Sequence, residues 1–357
     1  MKKLLTSFQK GNLSLKNHLV MAPMTRSRAI NNIPNDLMAE YYGQRNGAGL
    51  IITEGTAPTP EALGYPRIPG IFNEAQVEGW KKTTSAVHKA GARIFLQLMH
   101  TGRIGHKDNL PEGAQLVGAT GKTAAGQIFT DTLGMQDHSA PVALTAEGIK
   151  AVIEGFVAAA NNAIAADFDG VELHAANGYL LEQFLNPAVN NRTDEYGGSI
   201  QKRAKLILAV ARETVASIGK ERTGIRFSPF STLGDLWAYN GDDVHATYEY
   251  LAKELDAIGI AYIHISSSPN IPQTTLDAIR ANFNGTLILS NGLTPETAEQ
   301  VLASGIADLV AFGRPFLANP DFVQRIERSA ALNQVDYGTL YTPGAAGYVD
   351  YPTLQNN

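Results

Sequence analysis

The sequence contains no cysteine, which removes disulfides, thiolate metal sites and cysteine nucleophiles together. It lacks a long apolar run as well. After the opening MKKLLTSFQK, polarity returns too soon for a signal peptide or a membrane span, and no later stretch approaches the ~20 residues a span requires. An excess of basic charge is also missing: the net charge is −5, and the basic clusters are short ones such as Lys2-Lys3 and Lys81-Lys82. That argues against nucleic acid or an anionic membrane as the main partner. Metal-ligand spacing is absent too. The first apolar run ends in MAPMT rather than in paired histidines, and His100 and His106 have no obvious carboxylate partner. Two anion-binding motifs fail on position. LVGATGKT carries Leu116 where a phosphate loop needs glycine, and Gly47-Ala48-Gly49 precedes a strand instead of following one. These absences leave the expectation of a cytoplasmic protein, monomeric or homodimeric, that works on small molecules.

What is present is a repeating pattern. Short runs rich in Val, Ile and Leu are expected as strands at 18–24, 50–55, 93–99, 170–175, 223–229, 262–267, 286–291 and 309–314. Their apolarity is continuous rather than alternating, as in parallel strands covered on both faces. Helical patterns follow at 145–166, 199–218, 244–258, 295–303 and 315–328, the last two opening near a proline. Eight strands alternating with helices predict an α/β fold, a (β/α)8 TIM barrel forming one domain over residues 1–357. Residues 5–17 read as an N-terminal hairpin turning at Lys10-Gly11-Asn12, a plug for the barrel bottom. Residues 100–144 form a long excursion after strand 3, expected as a lid or pocket wall.

Barrel enzymes assemble their sites at the C-terminal ends of the strands. The last two ends, Ser290-Asn291-Gly292 and Gly313-Arg314-Pro315, suggest a phosphate cradle. Glycine admits the anion close to the backbone and the following helix offers its positive end, although both glycines could simply serve tight turns. Arg226 lies inside the apolar strand GIRFSP, where an unpaired guanidinium is costly. Either an acid on a neighbouring strand or a delocalised anion in the barrel mouth would pay for it. Gln97 poses the same question more weakly, as a core amide or as a reader of a heterocycle's amide edge. The fourth strand ends in His174, Asn177 and Tyr179. His174 and Asn177 at that spacing are able to donate to one oxygen, and the Tyr179 phenol, with an ordinary pKa of ~10, is able to protonate a strongly basic carbon.

Those residues resemble the Old Yellow Enzyme group of FMN-dependent ene reductases over nearly the whole chain. The shared stretches include MAPMTRSRA (21–29), IITEGT (51–56), GYPRIPGI (64–71), FLQLMHTGRIGH (95–106), AFGRPFLANP (311–320) and GYVDYP (347–352). Most specific is the segment around VELHAANGYLLEQFLNPAVNNRTDEYGGS, which ends at Ser199. The resemblance implies a tightly bound FMN reduced by NADPH or NADH. It assigns Thr25 to the flavin C4 carbonyl, Gln97 to the pyrimidine edge and Arg226 to the N1/C2 side. Pro23, Met24 and Gly55 would line the ring, and Asn291, Gly292, Gly313 and Arg314 would hold the phosphate. His174 and Asn177 would bind the oxygen of an activated alkene, Tyr179 would protonate it, and Tyr65 and Tyr348 would frame the pocket. Met99 stands where many relatives carry tryptophan, which implies a larger and softer pocket. Two other readings remain: a barrel lyase or isomerase using the cradle for a sugar phosphate, and a flavin-binding barrel without catalysis. The first would want a catalytic lysine or paired acids at strand ends, and the second leaves the His-Asn-Tyr set without a purpose.

Overall fold

The structure is a computed structural model that describes residues 2–266 and 270–354. The chain opens with a hairpin, β1 (Phe8–Lys10) and β2 (Leu13–Leu15), turning through Gly11 at φ +55°. The first barrel strands follow as β3 (Leu19–Met21), β4 (Leu50–Ile52) and β5 (Arg93–Leu98), separated by helices α1 (Asp36–Gln44) and α2 (Glu74–His88). The excursion holds β6 (Val117–Gly118), a hairpin of β7 (Gln127–Thr130) and β8 (Gly134–Asp137), and β9 (Val142–Ala143). Helix α3 (Ala146–Ala165) leads back to the barrel strand β10 (Gly170–Ala175). Then come α4 (Leu180–Leu185), α5 (Ile200–Ile218), β11 (Thr223–Phe227), α6 (Gly241–Ile258) and β12 (Tyr262–Ser266). The chain continues through α7 (Gln273–Asn282), β13 (Thr286–Ser290), α8 (Pro295–Ser304), β14 (Leu309–Phe312), α9 (Arg314–Ala318) and α10 (Phe322–Arg328).

The eight expected strands close one parallel barrel in the order β3-β4-β5-β10-β11-β12-β13-β14, with β14 pairing back to β3. Its outer wall of Leu19, Ile51, Leu96, Val171, Ile225 and Ile263 packs on the helices. The inside divides into two levels. At the bottom, Phe8, Leu13 and Leu15 of the hairpin pack against Val20, Leu50, Phe95, Tyr262 and Leu309, so the hairpin is the plug its sequence suggests. Nearer the top, the register sets Gln97 beside Glu172, and His174 beside Arg226 beside His264. One polar layer therefore lies on the apolar one, just below the strand ends.

Helix ends follow their capping residues. Thr145 accepts from the Gly148 amide and Ser199 from the Lys202 amide, which sets the starts of α3 and α5. One expectation needs correction: 315–328 is two helices rather than one. The break falls at Asn319-Pro320, where Asn319 is extended at φ −131°, because the ring of a following proline disfavours a helical residue before it. Ser267 and Ser268, expected at the sixth strand end, lie outside the described residues. Among the described residues no helix is long and apolar enough to cross a membrane.

Candidate active site

Two connected cavities open at the C-terminal end of the barrel. One, of about 240 Å³, is lined by Pro23, Met24, Thr25, Gly55, Gln97, Met99, His174, Asn177, Tyr179 and Arg226, with Arg314, Leu317, Leu340 and Tyr341 closing it. The other, of about 290 Å³, shares Pro23, Met24, Arg226 and Arg314 and continues over Ser290, Asn291, Gly292 and Gly313. Fourteen of the sixteen residues assigned to the site from the sequence thus line one continuous depression, the exceptions being Tyr65 and Tyr348, which are treated below.

The floor is polar and buried. Gln97 donates its side-chain amide to Glu172 Oε1 at 2.8 Å, and His264 Nδ1 lies 2.8 Å from Glu172 Oε2. With its amide nitrogen donating to Glu172, Gln97 keeps a carbonyl oxygen that is able to accept from a ring N–H, and the residue lines the cavity. Burial works against the Glu172 carboxylate, yet His264, Arg226 and Gln97 together hold it below its usual range. Arg226 makes no ion pair among the described residues. Its Nη2 reaches only the Ser290 hydroxyl, at 3.5 Å, and its buried Nε has no partner. Burial lowers its pKa, while Glu172 acts in the opposite direction. The neighbouring acid considered from the sequence is therefore present as a long-range counter-charge, and a donor is still left over at the cavity wall.

Gly55 is small for a packing reason. A Cβ there would fall 2.4 Å from Met99 Sδ, so the thioether occupies the space a side chain would need. In the second cavity Asn291 and Gly292 follow each other in the left-handed region, at φ +80° and +68°. A Cβ on Gly313 would meet Met24 Sδ at 3.3 Å. Arg314 is exposed at the mouth, its guanidinium 5.6 Å from the Tyr337 ring.

Where β10 leaves this floor stand His174, Asn177 and Tyr179. His174 is 3% exposed, and its Nδ1 is buried without a partner. Burial first, then Arg226 and His264, hold its imidazole well below the usual range, so it is neutral. Its ring meets Tyr179 edge-on at 4.9 Å. The Tyr179 hydroxyl donates to the Tyr65 hydroxyl at 3.0 Å, and burial together with Tyr65 pushes the Tyr179 phenol well above its usual range.

Outside this pair lies a larger basin of about 750 Å³, walled by Tyr65, Ile128, Phe129, Met135, Tyr337 and Tyr341. Arg67, the cation on that wall, is engaged on every side: it pairs with Asp131 and donates to Ser27 O at 3.0 Å and Tyr341 O at 2.8 Å. Tyr348 does not frame the pocket. It is fully buried, stacked on Tyr41 at 4.1 Å, with the guanidinium groups of Arg26 and Arg28 against its ring. The wall role falls to Tyr341, carried by the same C-terminal segment, which Arg26 and Arg28 hold through the carbonyls of Leu340 and Gly347. Reading the sequence also missed Glu172, His264 and Glu182. Glu172 and His264 alternate with apolar neighbours inside strands, a signal as strong as that of Arg226. Glu182 sits in a helical run and gives none.

Together these features suit one kind of guest. A buried donor left over, a carbonyl for a ring N–H and two chambers meeting at Arg226 fit a flat, electron-rich heterocycle with an anionic tail. Fold and floor define a flavin-dependent barrel oxidoreductase. Similarity agrees: residues 3–333 match the NADH:flavin oxidoreductase / NADH oxidase family. 12-oxophytodienoate reductase 1 of Oryza sativa subsp. japonica is 43% identical, covering 99% of this chain and 93% of that protein. Among solved structures, morphinone reductase in complex with tetrahydroNAD is 43% identical with a TM-score of 0.94, over 99% of this chain and 98% of that one. An old yellow enzyme homologue from Zymomonas mobilis is 38% identical with a TM-score of 0.93, over 98% of this chain and 99% of that one. The chain belongs to the NADH:flavin oxidoreductase / NADH oxidase family and is an Old Yellow Enzyme-type oxidoreductase, with FMN as its cofactor and a nicotinamide as hydride donor.

Proposed function

We propose that the protein reduces the activated C=C bond of α,β-unsaturated aldehydes, ketones, imides or nitro compounds, using NADPH or NADH, with Tyr179 as proton donor. When bound, FMN would supply the hydride chemistry that links the nicotinamide to the β-carbon of the acceptor. The chain's own residues bind, orient and protonate. Arg226 would neutralise charge at the N1/C2 side of the ring, and Gln97 would accept from the ring's N–H edge. Thr25 would serve the C4 carbonyl, while Pro23, Met24 and Gly55 would line the ring. Asn291, Gly292, Gly313 and Arg314 would hold the phosphate.

His174 and Asn177 grip the acceptor's oxygen and stabilise the negative charge that builds there. Because His174 is neutral, it offers a hydrogen bond without giving up its proton. Tyr179 keeps its proton against any weak base, since burial disfavours the phenolate. A carbanion at the α-carbon is basic enough to take it. Tyr65, hydrogen-bonded to Tyr179, orients that phenol. The aromatic basin takes the remainder of the acceptor, and its spent cation favours neutral groups. Relatives named for 12-oxophytodienoate and for morphinone support a carbonyl-bearing acceptor.

The observation that carries this reading is that two buried, unpartnered nitrogens, His174 Nδ1 and Arg226 Nε, belong to residues lining the same cavity. One suits the acceptor and the other the ring. The test separates the half-reactions anaerobically. Tyr179→Phe should slow acceptor reduction by ~10²–10⁴-fold, the usual scale of a positioned acid, while flavin reduction by NADPH keeps its rate. Equal losses in both would reject Tyr179 as the proton donor.

A further inference from the structure

Asn177 stands in the left-handed region at φ +58°, and Gly178 follows at φ +83°. Residues with side chains enter that region rarely, so something must hold the turn. Below it lies a carboxyl group. The Gly178 amide donates to Glu182 Oε2 at 2.7 Å, and the Ser228 hydroxyl donates to Glu182 Oε1 at 2.8 Å. The same Ser228 oxygen accepts the Asn177 amide at 2.8 Å, and the Tyr248 hydroxyl adds another donor to Glu182 at 3.1 Å. Glu182 therefore gathers two consecutive amides of the acceptor-binding turn, one directly and one through Ser228.

The setting makes this carboxyl unusual. It is 3% exposed, and no cation among the described residues pairs with it. The groups facing it are Tyr248 from α6 and Tyr239 from the loop before α6, both phenols pushed up by burial and uncharged. Beyond Tyr239, Arg203 of α5 and Asp243 of α6 neutralise each other at 2.8 Å. Burial pushes the Glu182 carboxyl up to about 7, against the pull of its three donors. A cleft of about 50 Å³ beside Glu182, Tyr239 and Tyr248 has room for water to exchange its proton. Ionised, Glu182 accepts from every donor. Protonated, it loses its charge and carries a hydrogen on one oxygen, so it holds those donors less tightly.

We propose that Glu182 is a positioning residue: its carboxylate, acting through Ser228 and the Gly178 amide, holds Asn177 where it grips the acceptor oxygen, so the charge on Glu182 sets acceptor affinity. This rests on the reading of Asn177 as half of the acceptor clamp. Protonation of Glu182 slackens the turn, and acceptor binding strengthens as pH rises.

The test measures binding of 2-cyclohexenone, which has no titrating group, to the oxidised holoenzyme through the flavin absorbance, between about pH 5.5 and pH 8.5. One hydrogen bond gained or lost is worth about tenfold in affinity, and the wild type should tighten by about that factor through neutral pH. Glu182→Gln keeps the shape and removes the titration, so its affinity should stay flat near the wild-type acidic value. Glu54 is also pushed up to about 7, but a slope it caused would survive in Glu182→Gln. An unchanged slope in that variant overturns the proposal. Should Glu182→Gln fail to retain flavin, Ser228→Ala decides instead: weaker binding supports the relay, and wild-type affinity rejects it. Asn177→Ala separates the two layers of argument. Wild-type binding in that variant removes the clamp itself, whereas weak binding there with an unaltered Glu182→Gln slope removes only the role of Glu182.

Discussion

The floor and the rim of this cavity are built on opposite terms. The floor is strand. Gln97, Glu172, His174, Arg226 and Ser290 are all buried, and their neighbours are fixed by barrel register. The rim is loop. Phe129, Met135, Tyr337 and Tyr341 are between 47% and 62% exposed, carried on the β7–β8 hairpin and on the C-terminal segment. The floor has donors to spare and a guanidinium without a close anion, whereas the rim has spent its cation on Asp131. The difference separates two tasks. Under the proposed function, the floor would fix the cofactor and the chemistry, and the rim would decide what shape and charge of acceptor reaches it.

If that division holds, damage to the floor should abolish chemistry while damage to the rim only changes preference. Replacing His174 and Asn177 together with Ala should cost acceptor reduction ~10³-fold or more, since a single donor of this kind is worth ~10²–10³. Flavin content should not change, and a matching loss of bound FMN would blur the line between clamp and floor. Arg226→Ala should weaken FMN binding to the apoprotein by ~4 kcal/mol, the scale of removing a buried charge partner. Titration of apoprotein with FMN measures it, and near-normal affinity would mean that Arg226 answers only to Glu172.

Stability should respond to the buried acids. Burial pushes Glu54 and Glu182 each up to about 7, above their value in the unfolded chain. The folded protein therefore holds protons the unfolded chain has released. This contribution is complete below about pH 4.5 and is lost as pH rises through 7, on the order of 3 kcal/mol for each group at most. Buried histidines such as His100 and His174, whose pKa burial lowers, act in the opposite direction, so the glutamate is read as a difference: the melting temperature of the wild type minus that of Glu182→Gln should fall between about pH 5 and pH 8. A difference that rises over that range would contradict the environment described for Glu182. The smallest effect belongs to the rim. A neutral ester acceptor should be favoured over its free carboxylate by about fivefold, the worth of one modest surface charge contact. Asp131→Asn, which frees Arg67, should narrow or reverse that ratio, and an unchanged ratio would place the acceptor elsewhere.

The floor was open to sequence reasoning because each of its residues breaks a local rule. A guanidinium or an amide within an apolar strand, or three hydrogen-bonding side chains crowded at a strand end, calls for an explanation at once. Barrel geometry then says where they meet. The rim breaks no such rule. Tyr341 and Tyr337 lie in a loop of ordinary composition, and their position depends on Arg26 and Arg28 grasping carbonyls more than 300 residues away. No local pattern encodes that reach, and Tyr348 was placed at the wall when it belongs to the packing behind it. Glu182 escaped notice for a different reason. In the run LLEQF it looks like a solvated helical residue, and only the tertiary fold turns it under the Asn177–Gly178 turn.

The central claim, that this floor holds FMN and passes its electrons to an acceptor gripped by His174 and Asn177, meets its most direct test in an anaerobic cuvette. The purified protein should be yellow, lose its flavin absorbance on addition of NADPH or NADH, and regain it when 2-cyclohexenone is added. A protein that stays colourless after incubation with FMN, or that bleaches and is not restored by any enone, imide or nitroalkene, would contradict the account.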